Sequence, residues 1–206
     1  MEPVNRMKTL LKSVKMTLSS IRLMPHLILF LAFDKNGYIK ADLARWMPIS
    51  PNEGNTLKTI HAFIDIMTVY PEFRNLFYFR TGWKGKLFAP LCRPMSTLFI
   101  VAESIGPGLF IQHGFATIIA AKRIGENCWI NQQVTIGYAH VNECPTIGDN
   151  VTINAGAKVI GDVTIGDNSK VGANAVVVKN VPANVTVVGV PAHIVKRDGR
   201  RVDESL

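Results

Sequence analysis

A six-residue spacing of aliphatic side chains runs through the second half of the chain and restricts the folds that are open to it. The longest unbroken run consists of Ile147, Ile153, Val159, Ile165, Val171 and Val177. The same spacing continues upstream through Ile105, Ile111, Ile124, Ile130 and Ile136, with one seven-residue unit around Ile118. Strands of an ordinary β-sandwich alternate with a period of two and vary in length, whereas a fixed hexapeptide period is the signature of a parallel β-helix.

Two further positions of the repeat agree with this prediction. The fourth residue of nine units is Gly, Asn or Asp, which enter the left-handed φ > 0 region at low cost and therefore suit a corner. These residues are Gly108, Gly114, Asn127, Asn150, Gly156, Asp162, Asn168, Asn174 and Asn180. The fifth residue of most units is small or β-branched and fits inside a narrow coil. Those residues are Cys128, Val134, Val151, Ala157, Val163, Ser169, Ala175 and Val181.

The repeats resemble the left-handed β-helix acyltransferases and, among them, the serine O-acetyltransferase-like branch. The resemblance rests on the segments IGPGLFIQHG, IGENCWINQQVTIG, PTIGDNVTINAGAKVIGDVTIGDNSKVGANAVVVKNVP and VGVPAHIV, within residues 103–196. In that family three hexapeptides form one triangular coil, so the twelve units imply about four coils. The left-handed winding follows from the resemblance alone, because parallel crossovers are ordinarily right-handed. The resemblance also implies acetyl-CoA as co-substrate, no metal, and a homotrimer or a multiple of trimers.

The first hundred residues show helical spacing instead. Residues 57–69 carry apolar side chains at helical intervals and stop before Pro71, and residues 70–82 have that proline near their start and end at Gly82. We therefore predict a mainly β protein with an α-helical N-terminal half. The predicted domains are a helical domain over residues 1–102 and a left-handed parallel β-helix with a C-terminal tail over residues 103–206.

The positive charge of the chain is confined to its first half. Residues 1–100 hold 14 Lys and Arg against 6 Asp and Glu, whereas residues 101–206 hold 9 of each, so the net charge of +8 lies in the first part. Residues 4–24 combine an apolar stripe with basic side chains, which predicts an amphipathic helix that packs in the fold or lies on an anionic membrane. No nucleic-acid motif accompanies the charge.

Membrane spans and disulfides are not expected. The longest apolar run, Leu27–Phe33, is too short to cross a bilayer. The three cysteines, Cys92, Cys128 and Cys144, are odd in number and form no CxxC pair. We predict a reduced, cytoplasmic setting, with peripheral contact to the inner membrane face through residues 4–24 as a further expectation.

His113 is the principal catalytic candidate. In the family that the chain resembles, the histidine of this motif is the general base, and an imidazole suits removal of a hydroxyl proton near neutral pH. His113 stands third in the hexapeptide that begins at Ile111, directly before Gly114, so we expect it outside the coil. The family orients its histidine with aspartates, one of them adjacent, but Gln112 occupies that position here. Glu103 is the nearby carboxylate and the candidate partner.

The array is interrupted once, between Ile136 and Ile147, where a loop within residues 138–146 protrudes from a corner. Loops on a rigid scaffold commonly supply site residues. The residues predicted to contact substrate in this loop are His140, Glu143 and Cys144. In serine acetyltransferases the matching loop is longer and ends Arg-His-Pro, with the Arg and His serving the amino acid, whereas this chain has Glu-Cys-Pro. The loss of that cation argues against serine as the acceptor.

The resemblance also implies a set of cofactor contacts. The set consists of Gly137, Ala155, Gly156, Ala173 and Lys179. Ala155, Gly156 and Ala173 match positions along the pantetheine arm of CoA, where small residues allow a close approach. Lys179 matches a basic position near the phosphate end in related sugar acetyltransferases. A purely structural role for the small residues is equally compatible with the sequence.

These features predict an acetyl-CoA-dependent O-acetyltransferase that acts on a hydroxyl of a sugar or glycan precursor, as in capsule or surface polysaccharide synthesis. The alternative is a serine O-acetyltransferase of cysteine biosynthesis. A non-catalytic scaffold would keep the repeats but would not need His113. A zinc hydratase of the carbonic anhydrase type uses the same β-helix but needs three histidines at subunit interfaces, and only His113 and His140 lie near the array.

Overall fold

The computed structural model describes residues 19–34, 36–47, 56–141 and 143–206. The chain forms two compact units, Met1–Pro94 and Met95–Leu206. The division falls before the predicted boundary at residues 102 and 103. The reason is that β1 (Leu98–Ile100) already pairs with a strand of the second unit.

Four helices make up the described part of the first unit. They are α1 (residues 19–33), α2 (Tyr38–Trp46), α3 (Thr56–Val69) and α4 (Pro71–Lys86), followed by a 3₁₀ turn at Ala89–Leu91. Phe63 of α3 stacks on Phe30 of α1 with ring centroids 4.8 Å apart, and it meets Phe77 of α4 edge-on at 5.4 Å. Four buried aromatic side chains, Phe30, Phe63, Phe73 and Phe77, therefore lie in the core of this unit.

The described helices include none that is long and apolar enough to span a membrane. Most of the amphipathic helix predicted over residues 4–24 lies outside the described residues. Its last part belongs to α1, where Leu23 is buried while Ile21 and Met24 are exposed. Contact of this segment with a membrane stays a prediction.

A buried ion pair joins α2 to α4. Arg80 Nε donates to Asp42 Oδ2 at 2.9 Å, and Arg80 Nη2 donates to Asp42 Oδ1 at 3.2 Å. The side chains of Arg80 and Asp42 are only 7% and 1% exposed. A planar guanidinium matches a carboxylate in this two-point geometry, which recovers part of the cost of removing both charges from water.

A second buried polar group connects α1 to α4. The Tyr78 hydroxyl donates to the carbonyl of Cys92 at 2.6 Å, so its oxygen is left to accept from His26 Nε2 at 2.9 Å. Burial lowers the pKa of His26 from 6.5 to about 4, with Arg22 and Arg74 acting in the same direction. The imidazole of His26 is therefore neutral in the folded protein at ordinary pH.

The depressed pKa of His26 predicts acid sensitivity of the fold. The unfolded chain protonates this histidine below about pH 6.5, whereas the folded chain protonates it only below about pH 4. The free energy of unfolding should therefore fall by about 3 kcal/mol as the pH drops through that window, and should not change for this reason above it. Urea titrations across this pH range should show that loss in the natural chain and a smaller one in His26→Gln. Identical pH dependence in the two proteins would contradict the assignment.

The second unit is a parallel β-solenoid of five coils. The first coil contains β1, β2 (Ser104–Ile105) and β3 (Phe110–Ile111), and the second contains β4 (Thr117–Ile119), β5 (Arg123–Ile124) and β6 (Trp129–Ile130). The third contains β7 (Thr135–Gly137), β8 (Thr146–Ile147) and β9 (Thr152–Ile153), and the fourth contains β10 (Lys158–Ile160), β11 (Thr164–Ile165) and β12 (Lys170–Val171). The fifth contains β13 (Val176–Val177) and β14 (Val185–Val188). The hydrogen-bonded sheets follow the three faces. The first face is β1-β4-β7-β10-β13, the second is β2-β5-β8-β11, and the third begins β3-β6-β9-β12-β14.

This architecture confirms a parallel β-helix after a helical N-terminal half, with one coil more than the predicted four. The additional strands, β1 and β14, lie just outside the stretch where the hexapeptide register is visible. The unit around Ile118 is also shifted by one residue. Ile119, not Ile118, faces inward in register with Ile136, and Ile118 is exposed. Because residues 118 and 119 are both isoleucine, the repeat pattern alone does not show which of the two faces inward.

The predicted C-terminal tail is an ordered hairpin. Strands β15 (His193–Arg197) and β16 (Arg200–Ser205) pair antiparallel and extend the third face beyond β14. Asp198 and Gly199 form the two-residue turn with φ of 49° and 79°. An Asp-Gly pair between such runs is a strong hairpin signal, so this turn is predictable from the sequence. The Arg197 guanidinium donates to the Glu204 carboxylate across the hairpin.

Candidate active site

His113 lies on the corner between the third and first faces. We call this the His113 corner and define it by residues 112–117, 131–135, 154–158 and 172–176. Backbone hydrogen bonds stack its levels: Gln133 N donates to the carbonyl of Phe115 at 3.0 Å, and Gly156 N donates to that of Gln132 at 3.0 Å. Side chains of successive coils are thereby held one above another, about 4.8 Å apart.

The turn that carries His113 differs from the others on this corner. The inward residues Ile111 and Ile119 that flank it are eight residues apart, whereas Ile130 and Ile136 one coil later are six apart. His113 itself takes φ of 56°, so the predicted corner at Gly114 is displaced by one residue. The His113 side chain is exposed, as predicted, and its Nε2 lies 3.5 Å from the amide nitrogen of Gln112. Left-handed conformations of residues other than glycine are uncommon and often mark functional positions.

Glu103 lies on a different corner from His113. It precedes β2, between the first and second faces, where its backbone N–H donates to the carbonyl of Ala121 at 3.0 Å. The nearby ammonium of Lys122 has its pKa raised chiefly by the hydrogen bond and charge of Asp162, with a small contribution from Glu103. Because one face of the coil separates the two corners, Glu103 does not orient His113 within a single chain.

The loop after β7 projects from the same corner as Glu103. The side chains of His140 and Glu143 are exposed, and Glu143 N donates to the carbonyl of His140 at 3.1 Å. Cys144 is only 2% exposed, so its predicted place in a substrate loop needs correction. It closes the loop by packing into the coil, as small apolar side chains do in this fold.

The predicted cofactor residues divide between two corners. Ala155, Gly156 and Ala173 belong to the His113 corner, in the coils that follow His113. Gly156 has φ of 75°, and a Cβ there would overlap the side-chain oxygen of Asn174, so only glycine fits without displacement. Gly137 is buried at the end of β7, and the ammonium of Lys179 donates to the Leu206 carbonyl at 2.7 Å. Those two residues lie on the loop side of the solenoid.

A cation on the His113 corner was not singled out from the sequence. Lys158 begins β10, and its ammonium donates to the backbone carbonyl of Gln133 at 2.6 Å. It is the only Lys or Arg in the four stretches of this corner, which contain no Asp or Glu. In its segment, AGAK, the sequence predicts a role for the small residues only.

Comparison with known proteins places this geometry in a family. The family model "Bacterial transferase hexapeptide (six repeats)" matches residues 144–179. The chain is 37% identical over 175 residues to a serine acetyltransferase of Staphylococcus xylosus, covering 82% of this chain and 81% of the relative. The chain belongs to the serine acetyltransferase family. A serine acetyltransferase of Staphylococcus aureus is 49% identical over 106 residues, which is 50% of each chain.

A solved structure gives the same result for the fold. The serine acetyltransferase of Neisseria gonorrhoeae, crystallised in complex with serine, has a TM-score of 0.58 and 27% identity, over 76% of this chain and 67% of that one. The predicted left-handed β-helix acyltransferase, a serine O-acetyltransferase-like member with an α-helical N-terminal half, is thereby confirmed. So is the predicted enzyme class, an O-acetyltransferase that uses acetyl-CoA as its co-substrate.

The prediction of a sugar or glycan acceptor is wrong. The relatives that cover most of the chain are serine acetyltransferases, so the family supports the alternative acceptor and gives no support to polysaccharide synthesis. That prediction follows from the missing Arg of one loop, which does not outweigh the similarity along 82% of the chain. Among the described residues, no group of three or more His, Cys, Asp and Glu side chains could hold a metal ion.

Proposed function

We propose that the chain is a serine O-acetyltransferase that moves the acetyl group of acetyl-CoA to the hydroxyl of L-serine. The observation that carries the proposal is the 37% identity to a serine acetyltransferase over 82% of the chain. The exposed imidazole of His113 supports it independently, since the same corner carries the small residues Ala155, Gly156 and Ala173 in later coils, where a narrow thioester arm could pass.

In the proposed reaction His113 is the general base. Its imidazole takes the proton of the serine hydroxyl as the oxygen attacks the thioester carbonyl carbon. A backbone N–H of the corner stabilises the oxyanion of the tetrahedral intermediate. The C–S bond then breaks, and the imidazolium returns its proton to the CoA thiolate, so that O-acetylserine and CoA leave. Ala155, Gly156 and Ala173 line the path of the pantetheine arm, and no acyl-enzyme is needed.

The proposed assembly is a homotrimer or a multiple of trimers. Within one chain the His113 corner and the loop with His140 and Glu143 lie on different corners, so a neighbouring chain is needed to bring them together. Phe99 and Ile118 stand side by side on the outer surface of the first face and are both exposed, which suits burial between subunits.

Light scattering should therefore report about three times the chain mass of 22.7 kDa, or a multiple of that value. Replacing Ile118 with Lys should shift the protein toward monomers and lower its activity in parallel, because the site would lose its second half. Thr164→Lys, an exposed position on the second face, is the matched control. A fully active monomer would contradict the proposed assembly. The cytoplasmic location predicted from the sequence stays a prediction.

Initial-rate measurements test the proposed acceptor. With acetyl-CoA present, release of CoA thiol should depend on L-serine with saturation, and D-glucose or N-acetylglucosamine at equal concentration should not replace it. Thiol release that is independent of serine, or that requires a sugar, would refute serine acetylation.

A further inference from the structure

Serine presents a carboxylate to any site that binds it, and the loop of this chain carries no cation to receive that carboxylate. The loop positions available are His140, Glu143 and the buried Cys144. Glu143 would repel a carboxylate. An acceptor with a carboxylate beside its hydroxyl therefore needs a positive group from another part of the site, and the described residues of the His113 corner offer one.

We propose that the ammonium of Lys158 binds the carboxylate of the acceptor, an inference that rests on the proposed function. Its position is set by β10, which pairs with β7 so that Lys158 lies in register with Thr135. The long side chain reaches back along the corner to the carbonyl of Gln133. Gln133 in turn donates to the carbonyl of Phe115, two residues after His113.

This chain of contacts limits how far the ammonium lies from the base. The level of Gln133 is one coil from the level of His113, and adjacent levels are about 4.8 Å apart. The hydroxyl and carboxylate of serine are separated only by Cα and Cβ. A serine whose hydroxyl meets His113 is therefore long enough to place its carboxylate at the level at which the ammonium of Lys158 is held.

The charge environment agrees with an anionic group at this point. The four stretches of the His113 corner contain Lys158 and no carboxylate. Lys158 forms no ion pair with any Asp or Glu among the residues that the structure describes. An ammonium has three N–H donors, and the Gln133 carbonyl uses one of them. The remaining donors can bind a carboxylate without first breaking a salt bridge.

The test compares two acceptors in two proteins. Serinol replaces the carboxylate of serine by a hydroxymethyl group and keeps the reacting hydroxyl and the amine. Lys158→Met should lower kcat/KM for L-serine by about 10- to 100-fold, the worth of a hydrogen bond between charged groups, chiefly through KM. The same variant should leave kcat/KM for serinol and KM for acetyl-CoA nearly unchanged, and Lys158→Arg should recover part of the loss. Lys170→Met, an exposed lysine on the third face, is the matched control.

The outcomes separate this inference from the proposed function. If the natural chain acetylates serine and Lys158→Met is equally active, the role of Lys158 is overturned and the proposed function stands. An equal loss with serine and serinol, or a loss confined to KM for acetyl-CoA, also overturns it, because the ammonium would then serve the thioester or the fold. A natural chain that acetylates neither acceptor overturns the proposed function and this inference with it. Thermal unfolding shows whether each variant is folded. If Lys158→Met does not fold, Lys158→Gln takes its place, and a loss in Lys158→Gln that is restricted to serine supports the proposal.

Discussion

Replacing His113 with alanine should lower kcat by about 10²–10⁴-fold, the usual contribution of a positioned general base. The side chain is exposed on the His113 corner and fills no part of the coil, so its loss should create no cavity. Binding of acetyl-CoA should change little, because the proposed contacts are on Ala155, Gly156 and Ala173. Stopped assays of thiol release, with acetyl-CoA affinity measured by calorimetry, check both parts.

Two control variants sharpen the test of His113. His140→Ala removes the exposed imidazole of the loop and should cost much less; an equal or larger loss would transfer the role of base to the loop. His113→Gly removes the imidazole and also relieves the φ of 56°, so it should be inactive yet more stable than His113→Ala by about 1 kcal/mol. Less than a tenfold loss of rate in all three variants would mean that neither histidine acts as base.

Removing the carboxylate of Asp42 should cause the largest loss of stability outside the solenoid. Asp42→Ala leaves the Arg80 guanidinium, 7% exposed, without its acidic partner, and breaking a buried pair from one side typically costs about 3–5 kcal/mol. Urea unfolding followed by the helical circular dichroism signal measures the loss. Asp42→Leu combined with Arg80→Met is the matched control, since it removes both charges together and should cost far less. A loss below about 1 kcal/mol in Asp42→Ala would show that water reaches the pair.

The parts of the fold that the sequence could predict are those in which one physical requirement repeats. Each coil must bury an aliphatic side chain and turn at a residue that tolerates positive φ. Six of the nine predicted corner residues have positive φ. They are Gly108, Asn127, Asn150, Gly156, Asn168 and Asn174. At two other corners the positive φ lies on the preceding residue, at Gly161 before Asp162 and at His113 before Gly114.

The parts that failed depend on contacts which a repeat does not encode. The inward side of Ile118 and Ile119 is decided by pairing with β7, and β1 is recognised only through its pairing with β4. The acceptor prediction is wrong because it depends on one loop, whereas the similarity to a serine acetyltransferase extends over 82% of the chain.

The most direct measurement of the central claim is identification of the product formed from competing acceptors. The natural chain is incubated with acetyl-CoA carrying a labelled acetyl group and an equimolar mixture of L-serine, serinol, glucose and N-acetylglucosamine, and the labelled products are identified by mass spectrometry. We predict that O-acetylserine takes up most of the label in the natural chain and that His113→Ala forms almost none. Label that appears mainly on a sugar, or O-acetylserine formed equally fast by His113→Ala, would contradict serine acetylation at the His113 corner.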